Sequence, residues 1–509
     1  MFLPRPDDNA SHFWDGLIKR IQQLISETPI LRGRHSSALR KIRDVKLLGS
    51  GARDSENNPL FDDPISDPFL SDAYHSDSRT SLETYGLVYA EFDMMLDLLQ
   101  ADLNTPESRM KSPSTSQGWH SAVARLFSRC FDKRYITCIS RLKTLPLLPL
   151  RTGAWVSATT GPVYWPMTGS IPIPPGVDIP VIDPEAVSNH DRRTLFTHLG
   201  VVESSVARVR NAILKAYEAN DGSVDVAESR AHLHYLYLTS QHNQPQIGPG
   251  GIYVRNHWGQ YADLRMVDVF LPSDHPYGPD ALLQPAGDAP GLAVAYLHPT
   301  YFEDVPPRLA TSNLSWKRWL VDFLGVRDRL RLVSRSRNWL SSAWFYVAEH
   351  RCEKLLGLLE HLWRHEGSWY IGGNDSLKEE IRGMSADMLC GLASEGRVRL
   401  CDTWLPLPAL QRQCLRFMEG SEPFPFLKLE ETMPAEQLSA KWVFLHTNFS
   451  VGMAEDTDFF LDMLLWIQRA NPDAPSLSRP QRVLDLYLAI DAKCLSAAGH
   501  KNAERKRVR

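Results

Sequence analysis

Two histidines spaced four residues apart are the clearest arrangement in this sequence that could do chemistry. His361 and His365 fall on one predicted helix, and a pair at this spacing can hold a zinc ion. The zinc peptidase pattern also needs a glutamate directly after the first histidine as the general base, but Leu362 stands there. The spacing therefore favours a solvated histidine pair, and the sequence predicts no metal ligand.

Nucleotide-binding loops and activated nucleophiles have short signatures, and none of them occurs in this chain. There is no P-loop, no G-x-G-x-x-G after a strand and no G-x-S-x-G elbow. The glycine turn from Tyr370 to Asp375 lies directly before a helix-capping pattern, which favours an ordinary turn over a phosphate cradle. We therefore predict no catalytic residue and no cofactor, and expect the chain not to be an enzyme.

Composition indicates an intracellular protein of several domains. The 509 residues are 43% hydrophobic with 14 tryptophans, enough for three or four packed cores at roughly 150 residues per domain. The net charge of −4 makes nucleic acid an unexpected partner and gives no attraction to an anionic membrane. The seven cysteines form no CxxC pair, which is typical of a reducing compartment.

No run of apolar residues is long enough to span a membrane, and the first residues do not resemble a secretory signal. We therefore expect a cytoplasmic or nuclear location and no membrane partner.

The elements that would position any site recur along the chain. A strand, a glycine turn and an aromatic strand are followed by a helical stretch, most clearly from Leu147 onward, and copies begin near Thr28, Gly251 and Arg397. These starts lie roughly 100 to 150 residues apart, the size of a small domain rather than of one supersecondary element. The pattern predicts tandem modules.

The fold class predicted from this alternation is α+β, with tandem modules of small, mostly antiparallel sheets and helical segments. We place the modules at residues 1–140, 141–245, 246–396 and 397–495, followed by a basic, disordered tail at 496–509. The second module holds a hairpin around Trp155, a proline-rich extended segment and helices. The third contains a long helical segment over residues 339–395.

Three tryptophans at the predicted hairpins, Trp155, Trp258 and Trp404, are candidate partner-binding residues. Tryptophan is common both in cores and at binding hot spots, so a core role competes with a binding role at each position. For Trp155, the alternation from Ala154 to Ser157 places apolar groups on both faces of a strand, which favours a core position.

Several motifs carry a family resemblance. They are the run from Leu145 to Arg151, the stretch from Arg109 to Pro113, the pair Trp119–His120 and the run from Phe323 to Val326. Together they closely resemble the downstream region of large fungal proteins related to sacsin and to the plant NO VEIN protein. The resemblance covers most of the chain, and its motifs are structural. Members of this family typically carry a Bergerat-type ATPase domain, of the histidine kinase and chaperone class, near the N-terminus.

The resemblance implies a scaffold without the ATPase. That domain needs an Asp-x-Gly-x-Gly loop, which this sequence lacks, and Met1 falls inside the family's downstream region. We therefore expect a non-enzymatic body that binds client proteins, or protein partners that include a separate ATPase domain or chain. Two alternatives stay open. One is an unrelated repeat-type interaction module. The other is a hydrolase or transferase with dispersed site residues, which a deep pocket with convergent titratable groups would favour.

Overall fold

The fold was obtained as a computed structural model, which describes residues 12–218, 224–240, 251–284, 291–307, 314–336, 338–384, 398–418, 424–429, 434–469 and 479–497. The chain divides into two compact units, unit 1 (residues 1–245) and unit 2 (residues 246–509). The division coincides with one predicted module boundary, and the finer boundaries near 140 and 396 stay predictions. Residues 498–509 of the predicted tail lie outside the described residues.

Unit 1 combines helices with very short strands. Its helices are α1 (His12–Glu27), α2 (Ser76–Thr84), α3 (Phe92–Leu103), α4 (Gln117–Asp132), α5 (Ile136–Thr144), α6 (Pro184–Val187), α7 (His190–Leu199), α8 (Val206–Glu218) and α9 (Val226–Leu238). Its strands are β1 (Leu31–Arg32), β2 (Leu39–Arg40), β3 (Lys46–Leu47), β4 (Val88–Tyr89), β5 (Leu148–Pro149), β6 (Trp155–Val156), β7 (Met167–Thr168) and β8 (Ile171–Pro172).

Unit 2 has the same mixed character. Its strands are β9 (Tyr253–Arg255), β10 (Tyr261–Asp263), β11 (Val269–Phe270) and β12 (Ala295–Tyr296). Its α-helices are α10 (Pro279–Leu282), α11 (Trp316–Trp319), α12 (Ser342–His350), α13 (Cys352–Leu362), α14 (Ser368–Tyr370), α15 (Asp375–Arg382), α16 (Pro408–Phe417), α17 (Ala435–Phe449), α18 (Thr457–Arg469) and α19 (Pro480–Ala497). Two π-helical turns, Leu320–Leu324 and Trp363–Gly367, extend α11 and α13.

A parallel pairing of three short segments recurs four times. In each copy a central residue pairs with one residue from each of two later segments, one on either side. The four sets are Phe69–Lys46–Val88, Val181–Tyr164–Val202, Tyr296–Phe270–Arg327 and Phe426–Trp404–Gly452. The chain order within each set is the same, since the central segment always comes first. The α+β fold with tandem modules is therefore confirmed.

An antiparallel hairpin precedes this arrangement in three copies. The hairpins are β1–β2, β5–β6 and β9–β10. Each is joined to the second segment of its module by an antiparallel bridge: Gly33 to Leu70, Leu150 to Ile182, and Asn256 to Leu297. In the fourth copy, the described residues show the parallel part of the arrangement.

Each copy also ends its helix in the same way, with a left-handed residue before the third segment. The residues are Gly86, Gly200, Gly325 and Ser450, with φ of 98°, 101°, 88° and 60°. Glycine adopts this conformation without a steric cost, and here it ends the helix. The next residue is buried in every copy: Leu87, Val201, Val326 and Val451. This helix end is the most regular sequence signal of the repeat.

Neighbouring modules within a unit share hydrophobic cores. The main core of unit 1 runs from Ala52 to Val201 and includes Leu96, Phe127 and Phe196. In unit 2 a core from Phe270 to Val451 lies beside a second one that extends from Trp404 to Ile490. We therefore expect each unit, rather than each module, to unfold as one body.

The sheets are mostly antiparallel, as predicted: among the six two-stranded sheets of the described residues, four are antiparallel, and β3–β4 and β11–β12 are parallel. One detail differs from the sequence expectations. The predicted helical segment at 339–395 is a series of short helices, because the backbone leaves helical geometry at Arg351. Residues 385–395 of that segment lie outside the described residues.

Candidate functional site

Trp155 packs against helix α4. The residue lies on β6, where it pairs with Pro149 of β5. Its indole is partly buried against the main core of unit 1, and its ring stacks with His120 at 6.5 Å between centroids. This environment agrees with a core role, and a partner-binding role for Trp155 stays a prediction.

Trp258 projects from the turn between β9 and β10 and is 55% exposed. Asn256 fixes this turn, because its side-chain oxygen accepts the backbone N–H groups of Trp258 at 3.1 Å and Gln260 at 2.9 Å. Gly259 supplies the positive φ of 73° that the turn requires. The indole packs on one side against His257, with 4.0 Å between ring centroids. A rigid turn therefore presents a large aromatic side chain to solvent.

Trp404 is a core residue with 4% of its surface exposed. Its indole N–H donates to Asp462 at 3.1 Å, and its ring lies edge-on to Phe459 at 4.9 Å. Gly452 passes so close that a Cβ there would lie 2.1 Å from the indole. This side chain offers a partner no surface in the folded chain.

The prediction that Trp404 lies at a hairpin is wrong. Trp404 occupies the central parallel segment, the place that Tyr164 and Phe270 take in other copies, and is not part of a hairpin. Trp155 lies on the second hairpin strand, whereas Trp258 lies in the turn. All three tryptophans follow an apolar run, which makes their local sequences similar, but the pairing partners of a segment are not visible in its own sequence.

His361 and His365 acquire a third imidazole neighbour, His275. The rings of His275 and His361 lie 4.3 Å apart, and those of His361 and His365 lie 5.7 Å apart. Burial, together with the neighbouring histidines, lowers the pKa of His361 to about 4. Within the described residues, no group of three or more His, Cys, Asp or Glu side chains could hold a metal ion.

In the described part of unit 2, several partly buried charges form a cluster around Asp268. Its carboxylate accepts from Arg331 at 2.9 Å and from Arg335 at 2.7 Å, and Arg327 lies 3.9 Å away. Arg327 also donates to Glu366 at 3.1 Å. These contacts join the residue before β11 to the segment from Arg327 to Arg335 and to the π-helical turn Trp363–Gly367, so the cluster has a structural use.

A second polar cluster fastens the proline-rich loop of unit 1. The guanidinium of Arg151 donates to the carbonyls of Ile173 at 2.7 Å and Pro174 at 2.8 Å. The Nε2–H of fully buried His232 donates to the carbonyl of Pro175 at 2.7 Å. The partners of His232 are Tyr217 and Pro175, which lie 15 and 57 residues away in the sequence, so its buried position cannot be read from its sequence neighbours.

Helices α4 and α7 run side by side in the same direction. Gln117 and Ser121, in the first turns of α4, contact Arg192 and Asp191 in the first turn of α7. At the other end, the ring of Phe131 lies 4.9 Å from that of His198. Two helix N-termini, each with a partial positive charge, therefore meet at one place.

Buried polar groups concentrate at this helix pair. His120 and Arg192 are 6% and 5% exposed. Among the described residues, the Nδ1 atom of His120 has no hydrogen-bond partner. Burial, together with the charges of Arg192 and Arg109, lowers the pKa of His120 to about 4. Arg109, Trp119 and His120 all belong to the motifs that carry the family resemblance. Here they lie together, with Arg109 above the Trp119 ring at 4.8 Å.

A surface cleft of about 360 Å³ in unit 2 brings titratable groups together. Its lining includes Arg416, Glu455 and Lys493 along with Phe417 and Phe460. Glu455 accepts from Gln413 at 3.2 Å and pairs with Lys493 at 3.3 Å. The cleft is open to solvent, and the contacts of its carboxylate are made by the neighbouring helices, so it resembles a solvated groove more than a catalytic pocket.

Comparison with known proteins gives no relative. No family model, no curated protein and no solved structure matches this chain. Among the described helices, none combines the length and apolar character needed to cross a membrane. The resemblance to sacsin and NO VEIN proteins therefore rests on the motifs quoted above.

Proposed function

We propose that this chain is a non-enzymatic scaffold of tandem modules that binds segments of partner or client proteins. Its role would be similar to that of the body of a sacsin/NO VEIN-like chaperone-type ATPase. The observation that carries the proposal is the fourfold recurrence of one pairing arrangement and one helix end. Repeated modules are typical of proteins that use extended surfaces for binding, whereas catalysis gathers its residues at a single site.

The use of charged side chains supports the same proposal. The Asp268 cluster, and Arg151 in the polar cluster of unit 1, both hold segments of their own unit in place. Charges committed to such contacts stabilise a framework and leave recognition to other surfaces.

Trp258 is the contact residue that the geometry favours. Two hydrogen bonds to Asn256 hold the turn, and the partly exposed indole packs against His257. The side chain therefore loses little conformational entropy on binding, which is what an anchor residue requires. In the second module the equivalent turn carries the small polar Thr152. Binding through the turn is therefore a property of the third module, and the occupant that suits it is an exposed apolar segment of a partner chain.

Suppression of aggregation tests the proposal. Reduced insulin would be allowed to aggregate with increasing amounts of the purified chain, and light scattering would be recorded with and without Mg-ATP. We expect scattering to fall with the wild-type chain, independently of Mg-ATP. Trp258→Ala should weaken this effect severalfold, because the variant lacks the exposed indole.

Trp369→Ala is the matched control, since it removes another exposed tryptophan of unit 2 that is 84% exposed. It should leave the protection unchanged. Equal losses in both variants, or no protection by the wild type, would count against binding at Trp258. A Mg²⁺-dependent micromolar dissociation constant for ATP would contradict the absence of an ATPase.

A further inference from the structure

The paired N-termini of α4 and α7 contain a buried cation without a matching anion. The guanidinium of Arg192 donates to the neutral amide of Gln117 at 3.2 Å and lies 5.6 Å from the ring of Phe196. It makes no ion pair with the described residues, although Asp183 contributes a longer-range attraction. A buried charge is costly unless it is paired, so this guanidinium is suited to an incoming anion.

The nearby carboxylates are engaged elsewhere. Asp191 accepts from the hydroxyl of Ser121 and from Arg125, the latter at 3.0 Å. Asp183 caps α6 by accepting the backbone N–H of Glu185 at 3.2 Å. Neither carboxylate therefore neutralises Arg192 by direct contact.

His120 is the second unsatisfied group. It lies in the first turn and a half of α4, and its ring is packed between Trp119 and Trp155. Its Nδ1 atom is buried and has no hydrogen-bond partner in the part of the chain that the structure describes. In the tautomer with a proton on Nδ1, this atom is a hydrogen-bond donor. A buried donor, a buried guanidinium and two helix N-termini all favour the same kind of ligand.

We propose that the N-terminal ends of α4 and α7 bind a single oxyanion group, a phosphate or a carboxylate, with Arg192 and Nδ1 of His120 as donors. Gln117 is exposed, and its amide oxygen accepts the hydrogen bond from Arg192 that the oxyanion would accept when bound. This site lies outside the surface proposed for partner segments, and it does not depend on that proposal.

Titration with inorganic phosphate tests the site. Thermal unfolding of the full chain would be followed in increasing sodium phosphate, with sodium chloride at matched ionic strength as the reference. We expect phosphate, but not chloride, to raise the transition temperature of unit 1. A parallel titration with sodium acetate shows whether a carboxylate also binds, and the stronger of the two ligands identifies the preferred oxyanion.

Gln117→Glu is the most informative variant, because it supplies a carboxylate to Arg192 from an exposed position and does not threaten folding. It should raise the transition temperature without added ligand and weaken phosphate binding at least tenfold. Arg192→Gln should abolish binding, whereas Arg193→Gln, which removes an exposed charge from the same helix, should not. Phosphate and acetate that act no more than chloride, or unchanged phosphate binding in Gln117→Glu, would overturn the proposal.

Discussion

The central segment of the fourth module should be the most sensitive point of unit 2. Trp404 is 4% exposed, packs against Phe424 and Phe459, and donates its indole N–H to Asp462. Replacing a buried tryptophan with alanine costs about 3–5 kcal/mol through lost burial and a residual cavity. Loss of the donor to the partly buried carboxylate of Asp462 adds about 1–3 kcal/mol.

The carboxylate of Asp462 makes the fold especially sensitive to substitutions of Trp404. Burial raises the pKa of Asp462, and the hydrogen bond from Trp404 acts in the opposite direction. Removal of the indole therefore leaves the carboxylate desolvated without its donor. Trp404→Phe keeps most of the packing and loses the N–H, so its cost should be intermediate, at about 1–3 kcal/mol.

Guanidinium unfolding followed by circular dichroism would measure these costs, and limited proteolysis would locate the unfolded unit. Trp404→Ala should shift the transition of unit 2 strongly and leave unit 1 resistant to protease. Trp258→Ala, the same substitution at an exposed position, should change the free energy of unfolding by less than about 0.5 kcal/mol. Similar shifts in Trp404→Ala and Trp258→Ala would refute the assignment of Trp404 to the core.

Other parts of the molecule give further predictions, each measurable by denaturant unfolding. Ser450→Gly should stabilise unit 2 by about 0.5–1 kcal/mol, because Ser450 has φ of 60°, whereas Gly325→Ala should destabilise it by about 1–2 kcal/mol. The pKa of His120 is lowered to about 4 in the folded chain, so between about pH 6.5 and pH 4 the unfolded chain binds a proton that the folded chain does not. The free energy of unfolding should therefore be constant above about pH 6.5 with respect to this group and fall by about 3 kcal/mol as the pH drops towards 4. His120→Leu should flatten that slope, and the exposed control His190→Leu should not. Asp268→Asn should cost roughly 2–3 kcal/mol, because three arginines lose their shared carboxylate, while Asp322→Asn, which loses one exposed pair with Arg318, should cost less than about 1 kcal/mol.

The repeat could be predicted from the sequence because its signals are local. Gly86, Gly200 and Gly325 end helices in the left-handed conformation, and each precedes a buried apolar residue, a pattern that can be recognised within a few residues. The hairpin turn at Gly153 and the corresponding turn at Gly259 are equally local. Such signals identify elements and their order.

The pairing of distant segments could not be predicted in the same way. The residues around Trp404 do not indicate that it pairs with Phe426 and Gly452. Its local sequence resembles that of the hairpins, so the sequence alone predicts a hairpin there. In the same way, Gln117 and Arg192 meet only because α4 and α7 pack side by side. Long-range contacts depend on packing, and a single sequence carries no direct record of it.

The function proposed for the chain depends most directly on where a bound client touches it. Hydrogen exchange measured by mass spectrometry, with and without reduced insulin, would locate that contact in the full chain. We expect slower exchange in peptides that cover the turn from Asn256 to Gln260, with little change at the cleft around Glu455. Protection confined to the Glu455 cleft, or an unchanged turn, would contradict the proposal.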